Sequence, residues 1–106
     1  MASTSVFAAN DSSAIQTMRT AAELGLRIPD DLSVIGFDNV PESALTHPPL
    51  TTVDQSIQAL GFEAVRMLID LIERPDSRLE APRRVTLPTQ LVVRGSTGAP
   101  SQESAG

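Results

Sequence analysis

SVFAANDSSAIQTMRTAAELGLRIPDDLSVIGFD, residues 5–38, spells a strand, a helix and a second strand in immediate succession. The first apolar run, Ser5-Val6-Phe7-Ala8-Ala9, is short and continuous rather than alternating, which suits a strand buried on both faces of a parallel sheet. It stops at Asn10-Asp11-Ser12-Ser13, four residues whose side chains can each accept an orphan amide at a helix N-terminus. Behind them Ala14, Ile15, Met18, Ala22 and Leu24 repeat at helical spacing. Gly25 can take the left-handed conformation that closes a helix, with Leu26 folding back over the last turn. Pro29 forbids continuation. The second strand is Leu32–Phe37, ending at Asp38. Such a βαβ unit is parallel and right-handed in nearly every case. Asn10 and Asp38 then share the carboxyl edge of the sheet, where open α/β folds bind ligands.

Downstream, Asn39–Val53 is polar and proline-rich, with His47-Pro48-Pro49 at its centre. Residues that precede proline are pushed to extended backbone, so this is a crossing segment rather than a helix. Ile57, Leu60, Ala64, Val65, Leu68 and Ile72 then form one stripe of a long helix, expected over 57–74, as core or subunit interface. Asp54 or Ser56 is placed to cap it, and Asp70 with Arg74 makes an i,i+4 ion pair. The last element, over 85–94, is interrupted by Pro88, which cannot donate to a ladder. It is an edge strand, or two short strands meeting at a break. From Gly95 onward Gly, Ser, Thr, Ala, Pro and Gln dominate; the segment reads as a disordered tail, with 98–106 wholly outside the domain.

At 106 residues there is room for one domain. The basic residues are 8 arginines against 13 acids, a net charge of −5. That balance disfavours a nucleic-acid face, and Arg83-Arg84, the only adjacent basic pair, is a solvated strand entrance. Cysteine is absent, which excludes disulfides, thiolate metal sites and cysteine nucleophiles. No metal or cofactor is expected. No apolar run is long enough to span a membrane, and Met-Ala-Ser-Thr-Ser carries no positive charge ahead of its apolar run, unlike a signal peptide.

Five pieces in order carry a resemblance: Val6-Phe7-Ala8-Ala9-Asn10-Asp11, Glu23–Asp31, Leu32–Asp38, Pro48-Pro49-Leu50-Thr51-Thr52-Val53-Asp54-Gln55, and Leu87–Thr97. Together they resemble the LacI/GalR family of transcriptional regulators over about residues 5–97. The resemblance implies an α/β, partial periplasmic-binding-protein-like (type I) fold: a βαβ unit of a parallel sheet plus a long amphipathic helix and an edge strand. Residues 1–97 would be the C-terminal portion of an effector-binding domain. Within it, 5–40 would be the C-terminal-lobe βαβ, 48–56 a crossover, 57–74 a helix and 85–94 a strand. The family's helix-turn-helix, hinge helix and most of its N-terminal lobe have no counterpart in these residues.

The resemblance also implies three effector contacts: Asn10, Asp38 and Gln55. An amide offers a donor and an acceptor, and a carboxylate accepts from two hydroxyls or ring N–H groups, which suits a sugar or nucleobase-like effector. The plainer readings are a helix cap for Asn10, turn chemistry for Asp38 and a helix-start polar residue for Gln55. His47 is expected to be a solvated loop residue. The implied function is effector sensing for a LacI-type regulator that meets DNA only through its missing N-terminal domain. A cytoplasmic location is expected, with homo-oligomerisation or pairing with a full-length relative. The effector-binding fragment of a periplasmic sugar-binding protein is the alternative. A small hydrolase-like enzyme is the weaker one: Ser12 or Ser13, His47 and Asp38 supply the residue types of a triad, but no Gly-x-Ser-x-Gly elbow accompanies them. The chain is therefore read as no enzyme.

Overall fold

A computed structural model describes residues 4–74, 76 and 84–100. Its elements run β1 (Ser5–Phe7), α1 (Asp11–Glu23), β2 (Ser33–Phe37), a 3-10 turn at Pro41–Ala44, β3 (Thr51–Asp54), α2 (Ile57–Glu73) and β4 (Gln90–Val92). They build one four-stranded sheet in the order β1-β2-β3-β4. β1 pairs parallel to β2, with Val6 opposite Val34, and β2 pairs parallel to β3, with Gly36 opposite Thr52. β4 closes the other edge antiparallel to β3, with Val53 opposite Leu91. The expected parallel βαβ unit and edge strand are therefore present. The ladder at the last strand is shorter than the stretch 85–94, because the residues flanking Pro88 make no sheet pairing.

The crossing segment is not extended throughout: Pro41, tolerated in a first turn, opens a 3-10 turn over Pro41–Ala44, and bends follow up to the prolines at 48 and 49. Its end becomes β3, whose Thr51 and Thr52 are buried in the middle of the sheet. β1 differs from expectation too. As an edge strand it has no fully buried residue: Val6 is half-buried, and Ser5 and Phe7 are exposed.

The ends of α1 follow from local chemistry. Asn10 Oδ1 accepts from Ser13 N at 2.8 Å, and Asp11 places a carboxylate in the first turn. At the other end Gly25 sits at φ 79, Gly25 N donates to Ala22 O at 3.0 Å and Leu26 N to Ala21 O at 2.9 Å. This pair of bonds satisfies carbonyls that the helix would otherwise leave open. The buried side is Asp11, Ala14, Met18 and Ala21. Ala22 and Leu24, expected in the apolar stripe, are exposed, since the sheet meets the 11-14-18-21 line. The core is small: Ala8, Ala14, Met18, Val34 and Leu50, flanked by Ile15, Ile28 and Leu32.

α2 runs from Ile57 to Glu73, one residue short of the expected 74 because Arg74 leaves the helical conformation, and the Asp70–Arg74 pair forms at 3.5 Å. Its N-terminus is built differently from expectation. Ser56 occupies the cap position with φ 56 and makes no side-chain capping bond. Asp54 Oδ1 instead accepts from Ser56 N at 2.8 Å, which shapes the entry and satisfies no helix amide. No residue of α2 is buried, with Leu68 at 57% and Phe62 at 68% exposure. Its apolar stripe is thus not part of this chain's core.

The segment after β4 is anchored, contrary to the expectation of disorder from Gly95. Ser96 is fully buried. Its Oγ donates to Val34 O at 2.6 Å and accepts from Thr51 N at 2.8 Å, while its carbonyl takes Val34 N at 2.9 Å. Gly98 N adds a bond to Ser33 Oγ at 3.1 Å. Composition alone missed this because the segment contributes hydrogen bonds rather than apolar surface. Residues 101–106 of the expected tail, and Arg83, lie outside the described residues; Arg84 is exposed.

Candidate functional site

The three expected site residues follow three successive parallel strands. Asn10 comes after β1, Asp38 directly after β2 and Gln55 directly after β3, so all lie at the carboxyl edge of the sheet. Two of them meet: Gln55 Nε2 donates to Asp38 Oδ1 at 2.5 Å. Asn10 is engaged as the α1 cap through its Oδ1, while its Nδ2 has no partner among the described residues. A solvent-open concavity of about 1120 Å³ is bordered by Asn10, Asp38, Val40 and Glu42 and continues along α1; Gln55 is not in its wall.

The backbone that presents Asp38 is strained. Asp38 has φ 121 and Asn39 φ 61, in the region that favours glycine. A residue held there costs about 1–3 kcal/mol and persists only where surrounding bonds over-determine it. Three consecutive amides provide that restraint. Asp38 N donates to Val53 O at 2.9 Å, Asn39 N to Thr52 Oγ1 at 3.3 Å, and Val40 N to Asp11 Oδ2 at 2.8 Å. Asp11 is fully buried and its other oxygen accepts from Thr52 Oγ1 at 2.5 Å. A cap-region acid from α1 therefore ties β3 and the reversal after β2 together. Gly36 makes room for it: a Cβ there would overlap Asp11 Oδ1 and stand 2.9 Å from Leu50 Cδ2.

Arg94 completes the support from the far end of the chain. Its Nη1 donates to Ser43 Oγ at 2.8 Å and Leu50 O at 2.9 Å, and its Nη2 to Asn39 Oδ1 at 2.8 Å. Asn39 Nδ2 in turn donates to Asp54 Oδ2 at 3.3 Å. Asp11, Thr52 and Arg94 were not singled out in the sequence. Each is one polar residue whose partners lie far along the chain, so no local pattern marks it. Only the acid in the first turn of α1 left a trace.

Chemically, the edge offers acceptors. With Asp38 Oδ1 taken by Gln55, Asp38 Oδ2 and Gln55 Oε1 are positioned for hydroxyl or N–H donors, and Asn10 Nδ2 supplies a donor. The triad types do not assemble: among the described residues no hydrogen bond joins exposed His47 to Asp38, Ser12 or Ser13. Nor does any group of His, Asp and Glu there have a metal-holding arrangement. No described helix is long and apolar enough to cross a membrane.

Comparison with known proteins agrees with this architecture. The periplasmic binding protein-like domain family matches residues 1–97. The chain is 42% identical over 101 residues to the ribose operon repressor of Halalkalibacterium halodurans, covering 94% of this chain and 30% of that protein. It is 37% identical over 93 residues to the HTH-type transcriptional repressor PurR of Haemophilus influenzae, covering 88% and 28%. The crystal structure of a LacI family transcriptional regulator from Enterococcus faecium with bound ribose superposes with a TM-score of 0.84 at 37% identity, over 92% of this chain and 35% of that one. The chain thus spans about a third or less of the relatives it matches. Those relatives are regulators of transcription. A parallel sheet closed by an antiparallel edge strand, polar residues gathered at its carboxyl edge and these matches lead to one assignment: the chain belongs to the periplasmic binding protein-like domain family, in the form found in LacI-type regulators.

Proposed function

We propose that this chain is the ligand-sensing C-terminal portion of a LacI-type transcriptional regulator, with Asn10, Asp38 and Gln55 as its effector contacts. The observation that carries the reading is the Gln55–Asp38 hydrogen bond, which sets an amide and a carboxylate side by side at the ends of two parallel strands. Their remaining acceptors suit the hydroxyls of a sugar or the ring N–H groups of a nucleobase. Ribose bound to the Enterococcus faecium relative supports the sugar class. In the whole regulator, effector held between two lobes shifts a two-state lobe arrangement and with it operator affinity. DNA contact belongs to a helix-turn-helix that these 106 residues do not contain. The cytoplasm is the place where such a regulator works, and self-association or pairing with a full-length relative is part of the proposal.

One lobe edge encloses a ligand poorly, whereas binding pockets bury most of a ligand's surface. The test is a ¹H–¹⁵N NMR titration of the chain with ribose, cellobiose and adenine. The expected result is binding weaker than about 1 mM, with shifts centred on the Asn10 and Gln55 side-chain amides and the Asp38 backbone. Saturating shifts elsewhere, or none at these groups with any of the three, overturn the site. Submillimolar binding overturns the view that these residues form only part of a cleft.

A further inference from the structure

The charge at the carboxyl edge bears on which effectors it can take. A phosphate group at such an edge is ordinarily held by the open amides and the positive end of a helix. Here that place is filled from within the chain. Asn10 Oδ1 takes Ser13 N at 2.8 Å, and the fully buried Asp11 carboxylate sits in the first turn of α1, bonded to Val40 N and Thr52 Oγ1. Arg94, which reaches the edge from the far end of the chain, is committed as well. Its donors go to Ser43 Oγ, Leu50 O and Asn39 Oδ1.

What borders the solvent-open concavity at this edge is acid. Asp38 and Glu42 both line it, and Asp54 is hydrogen-bonded to Asn39, the residue after Asp38. Among the described residues the cation on the same border is Arg19. It lies nine residues along α1 from Asn10, about 14 Å of helix, beyond the reach of the phosphate of a pentose held at Asp38. With Asp38 Oδ1 taken by Gln55, Asp38 Oδ2 accepts from a hydroxyl and repels an anion. We propose that the site takes an uncharged sugar and excludes its phosphate esters, and that the charge of Asp38 sets this preference. The proposal rests on the effector site put forward above and adds the charge class of its ligand.

Parallel ¹H–¹⁵N NMR titrations of the 106-residue chain with ribose and with ribose 5-phosphate test it, read at the Asn10 and Gln55 side-chain amides. At an ionic strength of about 0.1 M ribose is expected to bind about tenfold or more tighter than its phosphate, which carries a charge of about −1.5 to −2 at pH 7. The preference should fall to within about threefold near 1 M sodium chloride, where the screening length drops from about 10 Å to about 3 Å. Asp38→Asn keeps an acceptor for Gln55 and a residue type that tolerates positive φ, while removing the charge. Its preference at about 0.1 M salt is expected to lie within about threefold. Ribose 5-phosphate bound at these amides as tightly as ribose overturns the exclusion and leaves the site standing. A preference that survives both high salt and Asp38→Asn overturns the role of charge. One that yields to salt but not to Asp38→Asn overturns the assignment to Asp38. Response to neither ligand overturns the commitment to a sugar, and the cellobiose and adenine titrations then decide whether the site itself stands.

Discussion

Replacing Ser96 by alanine should cost this small domain far more than its exposed, glycine-rich surroundings suggest. The change removes one oxygen and leaves almost the same volume, so no cavity term enters. What is lost is a bridge between β2 and β3: the bond from Ser96 Oγ to Val34 O at 2.6 Å and the one it accepts from Thr51 N at 2.8 Å. Val34, Thr51 and Ser96 are all at most 1% exposed, so water cannot substitute. A buried backbone group stripped of its partner costs about 1–3 kcal/mol, and a carbonyl with a second lone pair costs less, so the sum is about 2–4 kcal/mol. For a domain of this size that corresponds to a fall in midpoint temperature of about 8–16 °C. Neither tryptophan nor tyrosine is present, so unfolding is followed by far-ultraviolet circular dichroism, with urea titration as the second probe. Ser56→Ala is the control; its hydroxyl caps nothing, and less than about 0.5 kcal/mol is expected. If Ser96→Ala unfolds within that same margin, segment 95–98 does not clamp the sheet and the reasoning fails.

Gly36→Ala should destabilise by about 1–3 kcal/mol, since the new methyl overlaps Asp11 Oδ1 and presses on Leu50; urea denaturation showing an unchanged midpoint would contradict this packing. Asp31 should titrate below the usual carboxylate range, because the Arg27 side chain and then the Arg27 backbone amide hydrogen-bond its charged form. Its contribution to stability is therefore present above the unfolded carboxyl's pKa and is lost as pH falls through the lower folded value. Carboxyl ¹³C NMR should find that value rising in Arg27→Ala, and no rise would remove Arg27 as the cause. The uncovered α2 stripe should drive self-association. Leu68→Glu with Ile72→Glu is expected to raise the concentration at which light scattering reports it by about tenfold or more, given about 1.5–3 kcal/mol per apolar side chain buried. Wild-type chain that remains monomeric at high concentration would refute that role for α2.

Much of the local architecture is legible in the sequence. Asn10 and Gly25 mark the ends of α1 because capping is a matter of a few consecutive residues. The strand–helix–strand order implies a parallel pair, and hence the shared edge of Asn10 and Asp38, because topology allows little else. Gln55 entered by resemblance, and the pairing of β3 with β2 accounts for its meeting Asp38. Other features were invisible at that range. Thr51-Thr52 reads as a crossing segment until the neighbouring strands bury it. Ser96 reads as tail until Val34 and Thr51 take both its bonding directions. The α2 stripe announces that something must cover it, and nothing in its spacing says that this chain's own sheet will not.

The sequence by itself thus determined the two ends of α1 and the strand–helix–strand order that brings Asn10 and Asp38 to the carboxyl edge. Those properties depend on neighbours within a few positions and on strand order. Only the tertiary structure decided how that edge is held in shape. The strained reversal at Asp38–Asn39 is restrained by Asp11 from 28 residues before Asn39 and Arg94 from 55 residues after it. Such polar contacts carry no periodic signal, because a hydrogen bond needs two groups at the right separation and is indifferent to how much chain lies between them.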